Sequence, residues 1–361
     1  MSPVCCDSLE DKVLAGERLT REEGRSLLQD APLLELGRLA NAMRHRHHPD
    51  PAVTFVIDSN PNYTNVCITD CVFCAFYRKP GSKDGYVLTV DQVMEKIQRA
   101  VELGATTVLL QGGHNPQIPF SYYLSLVSET RRRFPHVTPH FFTASEVTTM
   151  AQVSGLSIGG VLGQLKDAGQ STLPGGGAEI LADRIRRRLS PKKGGAEAWL
   201  SVHREAHRLG FKSTATMMFG HIEEDDDLLQ HLEHIRALQD ETRGFTAFIP
   251  WSFKPGNTPL EQPIPHHADP TRYLRIIALS RLYLDNVPHI QASWFSEGKK
   301  TGQVALHFGA DDFGGTLFEE NVHAATDFVN TTSVEDLVTM IREAGFQPVQ
   351  RTTLYERIKE W

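Results

Sequence analysis

Cys67, Cys71 and Cys74 stand at C-x3-C-x2-C spacing in the run NYTNVCITDCVFCAFYR. The chain holds five cysteines in 361 residues, and the other two, Cys5 and Cys6, sit at its N-terminus. Three thiolates leave one metal of a four-iron cluster without a protein ligand, and an open position of that kind can bind and activate a further molecule. A zinc knuckle is the competing reading. Structural zinc takes four ligands, and no fourth Cys or His is close by in the sequence. The spacing therefore points first to a catalytic iron–sulfur cluster. Cys5 and Cys6 are expected to be free thiols on a disordered end.

These cysteines need a scaffold, and the rest of the chain alternates. Short apolar, β-branched runs fall at 62–66, 106–110, 137–142, 171–173, 213–219, 245–250, 290–295 and 304–308. Amphipathic helices separate them. Thr89 precedes one that closes on Gly104, Ser157 precedes a second, and a third opens at Asp225. Eight strand-then-helix units predict an α/β fold of the (β/α)8 TIM type, with an open doubly wound sheet as runner-up. A helical N-terminal extension spans 1–50, marked by the capping box Thr20 to Glu23. The barrel is expected over 51–315, and a C-terminal tail with a last helix and a short strand packs on it over 316–361.

In such a barrel the chemistry sits at the C-terminal ends of the strands. Those ends carry Gln111-Gly112-Gly113-His114, then His140, Thr143 and Glu146, then Glu179, His221, His307 and Asp312. The glycine runs at 112–113 and 175–177 match no phosphate-binding motif, and close approach of a bulky ligand to the backbone is the better reading. Any of the lone histidines can equally be a satisfied interior residue. His231 and His234 read as a solvated helix face, as do the histidines of MRHRHHPD at a helix end.

Composition is ordinary for a globular protein, with 40% hydrophobic and 22% charged residues. A net charge of −7 argues against a nucleic-acid surface. The longest apolar runs are far too short to span a membrane, and the N-terminus has no apolar signal region. Unpaired thiols and an oxygen-labile cluster suit a reducing cytoplasm.

The run CITDCVFCAFYR resembles the radical S-adenosylmethionine signature, with Phe73 just before the third cysteine. The longer motifs LLQGGHNP, LPGGGAEIL, TATMMFGH and FGADDFGGT are similar to those of the cyclic dehypoxanthine futalosine synthases of menaquinone biosynthesis. Aminofutalosine synthases and the deazaflavin synthase subunit share the cysteine loop. The resemblance implies that the three cysteines hold a four-iron, four-sulfur cluster and that S-adenosylmethionine chelates its fourth iron. It implies a 5′-deoxyadenosyl radical that takes the ribose 4′ hydrogen of dehypoxanthine futalosine. The carbon radical then adds to the benzoate ring, and loss of an electron and a proton restores aromaticity. Flavodoxin or ferredoxin is the implied electron donor.

By position, the resemblance puts Phe73 against the adenine, Gln111, Gly112 and Gly113 at the methionine amino group, and Glu179 at the cofactor ribose. Thr143 is the implied substrate contact, although this chain has Thr143-Ala144-Ser145 where the family has a Ser and two prolines. No motif names the proton acceptor. His114, His140, His221, Glu146 and Asp312 are candidates, and His221 is the first choice because it leaves a strand across the barrel from the cysteine loop.

Overall fold

The computed structural model describes residues 6–260, 264 and 268–361. Cys5 lies outside the described residues, and Cys6 opens the first helix, Cys6–Ala15. The strands are β1 (Ala52–Val56), β2 (Asp58–Ser59), β3 (Thr107–Leu110), β4 (Thr138–Phe141), β5 (Thr172–Leu173), β6 (Lys212–Phe219), β7 (Phe245–Ser252), β8 (His289–Ile290), β9 (Asp312–Gly315), β10 (Gln347–Arg351) and β11 (Arg357–Glu360).

β1 and β2 form one bent stave. β1 pairs in parallel with β9, while β2 pairs in parallel with β3. β3 continues to β4, and β5, β6, β7 and β8 follow in parallel order. A parallel bridge from Gln291 to Asp312 joins β8 to β9. Across the gap between β4 and β5, the Gln170 amide donates to Phe141 O at 2.7 Å, and His140 Nδ1 lies 2.9 Å from Thr172 Oγ1. The ring of staves is thereby closed, and the fold is the expected α/β barrel. Its strands are buried on both faces, as parallel strands under helices must be.

The cysteine loop does not leave from 62–66. The strand that precedes it is AVTFV at β1, ten residues earlier, and 62–66 belongs to a buried loop. The eighth strand is also displaced. Residues 304–308 fall in the helix Lys299–Ala305 and the turn after it. Ala305, Leu306 and Phe308 are buried there while Val304 is exposed, and the true stave, DFGG at β9, has little β propensity and is held by its neighbours. The 290–295 run yields only β8 before the chain turns into the helix Trp294–Glu297.

The tail does more than lie on the barrel. β10 adds in parallel to β1, and β11 returns antiparallel to β10. This brings Arg351, Thr353 and Tyr355 to the barrel cavity, where Thr353 Oγ1 meets Thr107 Oγ1 at 2.6 Å. The helices Arg21–Gln29 and Leu33–His47 lean on the helix Pro270–Tyr283. Buried Arg44 donates to the carbonyls of His48, Asp50 and Ala52, tying that extension to β1.

Three expectations about histidines change. His231 is fully buried and its Nδ1 accepts the Leu181 amide at 3.0 Å, so it is not on a solvated face. His48 is half-buried against Asp311, with His289 on the same carboxylate. That carboxylate is already paired with Arg281, which a metal ion would have to displace. His307, expected at a strand end, lies in the turn after Lys299–Ala305 and touches the Phe346 ring.

Candidate active site

The loop between β2 and the next helix, Val90–Glu102, is fixed by its own backbone. The Cys67 amide donates to Arg78 O at 2.8 Å, and the Ile68 amide donates to His114 O at 3.0 Å. Arg78 Nη1 in turn donates to the carbonyls of Ala75, Phe76 and Tyr77. Asp70 takes a left-handed conformation, φ 37°, which turns the chain between the first two cysteines. Thr69 Oγ1 lies 2.9 Å from Cys67 Sγ and 3.5 Å from Cys71 Sγ.

All three cysteines are free thiols and line one cavity, with Phe73 and His114 beside them. Burial pushes the Cys71 thiol up to about 11 and raises Cys74 as well. Thiolates so placed need a bound cation to persist. The backbone also closes in: a Cβ on Gly113 would lie 2.2 Å from Val66 O and 3.0 Å from Cys67 Cβ. Three thiol donors on one pocket, with backbone rather than a fourth cysteine facing them, fit three irons of a cluster whose fourth is open.

Gln111, Gly112 and Gly113 line that cavity and are held as a unit. The Gln111 amide donates to Asn60 Oδ1 at 3.3 Å and the Asn62 amide group donates to Gln111 O at 2.8 Å. The Gly113 amide donates to Thr64 O, and the Gly112 amide donates to Glu146 Oε1 at 3.0 Å.

Glu146 is wholly engaged. The Tyr63 hydroxyl donates to Oε1 at 2.7 Å, and Thr143 donates its amide and its hydroxyl to Oε2 at 2.7 and 2.8 Å. Thr143 and Glu146 make the capping box of the helix Ala144–Ser154. Neither lines the barrel cavity. Thr143 was the expected substrate contact and Glu146 an expected proton acceptor. Their polar atoms are spent on each other and on the loop that carries Gly112.

Glu179 is 6% exposed and adopts φ 44°. Its Oε1 accepts from Lys193 Nζ at 3.0 Å, and its Oε2 lies 3.5 Å from Arg186 without a hydrogen bond. Arg186 also donates to the carbonyls of Gly177, Ala178 and Gly194, which locks this turn. Lys193 lines the cysteine cavity and lies 5.4 Å from the Phe73 ring centre. Burial opposes its charge, but the Cys71 thiolate and the Glu179 carboxylate raise its pKa above the usual lysine value. Lys193 was not singled out from the sequence. It lies in SPKKGG, which reads as a surface loop, and no local signal shows that the chain folds one lysine inward.

A second, larger cavity fills the barrel. Its walls include Leu109, Ile249, Trp251, Phe295 and Leu317, and its polar groups include Asp58, His140 and Arg351. Gln111 and Val322 line both cavities, so the cysteine site opens toward the barrel interior there. The helix Asn321–Ala324 contributes to the roof.

Of the expected proton acceptors, His114 lines the cysteine cavity and His140 the barrel cavity. Burial lowers both to about 3, with Lys193 facing the first and Arg351 the second. His221, the first choice, lines neither. It is fully buried, its Nε2 donates to Met218 O at 3.0 Å, and its Nδ1 accepts the Ile222 amide at 2.7 Å beside Glu223. Leaving a strand end does not aim a side chain inward, and here the loop folds over the ring. Asp312 is likewise sequestered, accepting from Thr54 at 2.6 Å and from both Nε and Nη2 of Arg351 at 2.5 and 3.0 Å. Asp58 and Arg351, which do line the cavity, escaped notice because the first stave was misplaced and the tail was read as peripheral.

Residues 62–235 match the Radical SAM superfamily model, and residues 242–361 match the CofH/MqnC C-terminal region. Cyclic dehypoxanthine futalosine synthase of Halalkalibacterium halodurans is 41% identical over 98% of this chain and 95% of its own length. Aminodeoxyfutalosine synthase of Thermus thermophilus is 40% identical over 98% and 96%. A 5-amino-6-(D-ribitylamino)uracil–L-tyrosine 4-hydroxyphenyl transferase of Methanopyrus kandleri is 44% identical over 85% and 85%. The crystal structure of methylornithine synthase shares the fold, with a TM-score of 0.74 at 18% identity, covering 94% of this chain and 97% of the other. With a three-thiol cavity opening onto a barrel interior, this chain belongs to the radical S-adenosylmethionine superfamily and is an enzyme that uses a four-iron, four-sulfur cluster and S-adenosylmethionine.

Proposed function

We propose that the protein cyclises dehypoxanthine futalosine to cyclic dehypoxanthine futalosine, a step of menaquinone biosynthesis. The observation that carries this reading is the 41% identity to a cyclic dehypoxanthine futalosine synthase over 98% of this chain. The barrel cavity supports it, since apolar walls with few polar groups suit an aromatic ring joined to a sugar.

Cys67, Cys71 and Cys74 would hold the cluster. Gln111, Gly112 and Gly113 would receive the methionine end of S-adenosylmethionine, with Phe73 and the Glu179–Lys193 pair beside it. When bound, the two groups supply a 5′-deoxyadenosyl radical. The chain's own work is to hold substrate at the junction by Gln111, so that the ribose 4′ carbon faces the cysteine cavity and the benzoate ring lies next to it. The wall of Ile249, Trp251, Phe295 and Leu317 excludes water while a carbon radical exists. Flavodoxin or ferredoxin supplies the electron, and the reaction belongs to the cytoplasm.

Anaerobic incubation of the reconstituted protein with dehypoxanthine futalosine tests this. The product should be lighter than substrate by two hydrogens, and deuterium at the ribose 4′ position should appear in 5′-deoxyadenosine. Unlabelled 5′-deoxyadenosine and unchanged substrate, with turnover of the aminodeoxyfutalosine synthase substrate instead, would reject the reading.

A further inference from the structure

We propose that Asp58 accepts the proton released when the substrate ring regains its aromaticity, an assignment that rests on the cyclase reading above. Asp58 opens β2 and is 4% exposed, with its side chain on the barrel cavity. Asn60 lies two residues further along the same stave and lines the same cavity. Asn60 bonds the Gln111 amide, and Gln111 lines both cavities. Residues two apart on an extended chain face the same way at a spacing of about 6.6 Å. The carboxylate therefore sits one pleat below the point where the cysteine site meets the barrel interior, where the new bond must form.

The chain makes room for this carboxylate and leaves it without a counter-ion. A Cβ on Gly315 would lie 2.1 Å from Asp58 Oδ1, so residue 315 must be glycine for Asp58 to take this position. The Leu317 amide donates to Oδ1 at 2.8 Å, and the Thr316 hydroxyl donates to the Asp58 carbonyl at 2.8 Å. Among the described residues no cation pairs with it. Arg351, on β10 beside β1, is held bidentately by Asp312 of β9. A buried carboxylate without an ion-pair partner is costly and is kept where it has work to do. Burial pushes Asp58 up to about 7, with Asp312 adding to the rise and Arg351 and the Leu317 amide opposing it. A base poised there is suited to proton transfer at neutral pH.

Of the other titratable groups facing this space, burial lowers His323 of the roof to about 4 and raises the Tyr355 hydroxyl well above its ordinary value, so neither matches a neutral-pH base. His140 of β4 is paired with Thr172. Glu320 of the roof accepts the amides of Val322 and His323 as a helix cap. In the step itself, the C–H bond at the attacked ring carbon breaks. Its electron pair joins the delocalised radical electrons, the one electron in excess of the aromatic sextet leaves to a one-electron acceptor of the iron–sulfur class, and the proton goes to Asp58.

Asp58→Asn keeps an acceptor for the Leu317 amide and removes the base. In the reconstituted full-length protein, 5′-deoxyadenosine formation should stay within about threefold of the parent while cyclic product falls by about 100-fold, the scale of general-base catalysis. The parent's product rate should rise with pH through an apparent pKa near 7, and the variant should lose that rise. Substrate binding to the unreduced enzyme should be unchanged, and thermal stability at neutral pH should hold or rise, since the variant removes a costly buried carboxylate. Unaltered coupling of 5′-deoxyadenosine to product in Asp58→Asn would overturn the assignment. So would an equal fall in both, because the residue would then act before hydrogen abstraction. If the parent itself makes no cyclic product, it is the cyclase reading that fails.

Discussion

The Glu146 carboxylate accepts the backbone amide of Gly112 at 3.0 Å, which ties the loop after β3 to the N-terminal cap of the helix after β4. One buried side chain thereby sets the height of the Gln111–Gly113 turn against the cysteine cavity. Glu146→Ala strips partners from the Gly112 amide, the Tyr63 hydroxyl and the Thr143 amide at once. Each buried group left unsatisfied costs about 1–3 kcal/mol. The expected result is a large loss of thermal stability, with Glu146→Gln intermediate because its amide oxygen still accepts. S-adenosylmethionine affinity should fall in both. A stable Glu146→Ala protein with parental cofactor affinity would remove this role.

Gly113 tests the fit of the cysteine loop without touching a thiol. A Cβ there meets Val66 O at 2.2 Å, a backbone atom that cannot swing aside. Gly113→Ala must therefore shift Val66 and Cys67 together. Iron and sulfide content after anaerobic reconstitution should drop, as it should for Cys67→Ala, Cys71→Ala or Cys74→Ala. Gly163→Ala is the control, since its Cβ meets nothing within 4 Å. Full iron content in Gly113→Ala would mean that the loop tolerates movement that its contacts deny.

The Glu179–Lys193 pair joins the cofactor side to the cluster side. Removing one partner of a buried pair leaves an uncompensated charge, at a cost of about 3–5 kcal/mol. Glu179→Ala should destabilise the protein, since Lys193 and Arg186 both lose their carboxylate. Combining Glu179→Gln with Lys193→Met removes both charges of the pair and should recover much of the stability. If Glu179 also receives the cofactor ribose, the double variant will regain stability but not S-adenosylmethionine affinity. Recovery of both would limit Glu179 to a structural role.

The cysteine spacing and the alternation of strands and helices were legible in the sequence because they are local. The cap at Thr89 is equally local, and the structure has it, whereas Thr143 and Glu146, which read as strand-end site residues, form a capping box. What was illegible depends on contacts distant in sequence. β9 is DFGG, a poor strand on propensity, held by β1 on one side and bridged to Gln291 on the other. His221 and Asp312 sit at strand ends like the residues that line the cavity, yet the loop fold and Arg351 consume them. Lys193 turns inward only because Glu179 and the thiols are there to meet it.

Stability should fall as pH drops below neutral. Burial lowers His140 and His231 to about 3 and His207 to about 4, and it lowers His203 and His323 as well. In the unfolded chain each histidine protonates near its ordinary value, about 6.5. Between about 6.5 and 4 the unfolded state thus binds protons that the native state refuses, and acid favours unfolding. Each such histidine contributes on the order of 1.4 kcal/mol per pH unit across that window. Asp58, raised to about 7, works the other way, as do the raised carboxyls of Glu146 and Glu320. Those groups keep a proton in the native state that the unfolded state has lost, so they favour folding as pH falls. The histidines outnumber them, and the net slope follows the histidines. Urea midpoints of the cluster-loaded protein at pH 7.5, 6.5 and 5.5, taken under nitrogen, should decrease in that order. His207→Gln should flatten the slope by about one proton. A midpoint that stays level or climbs toward pH 5.5 would show that these rings are already protonated in the fold.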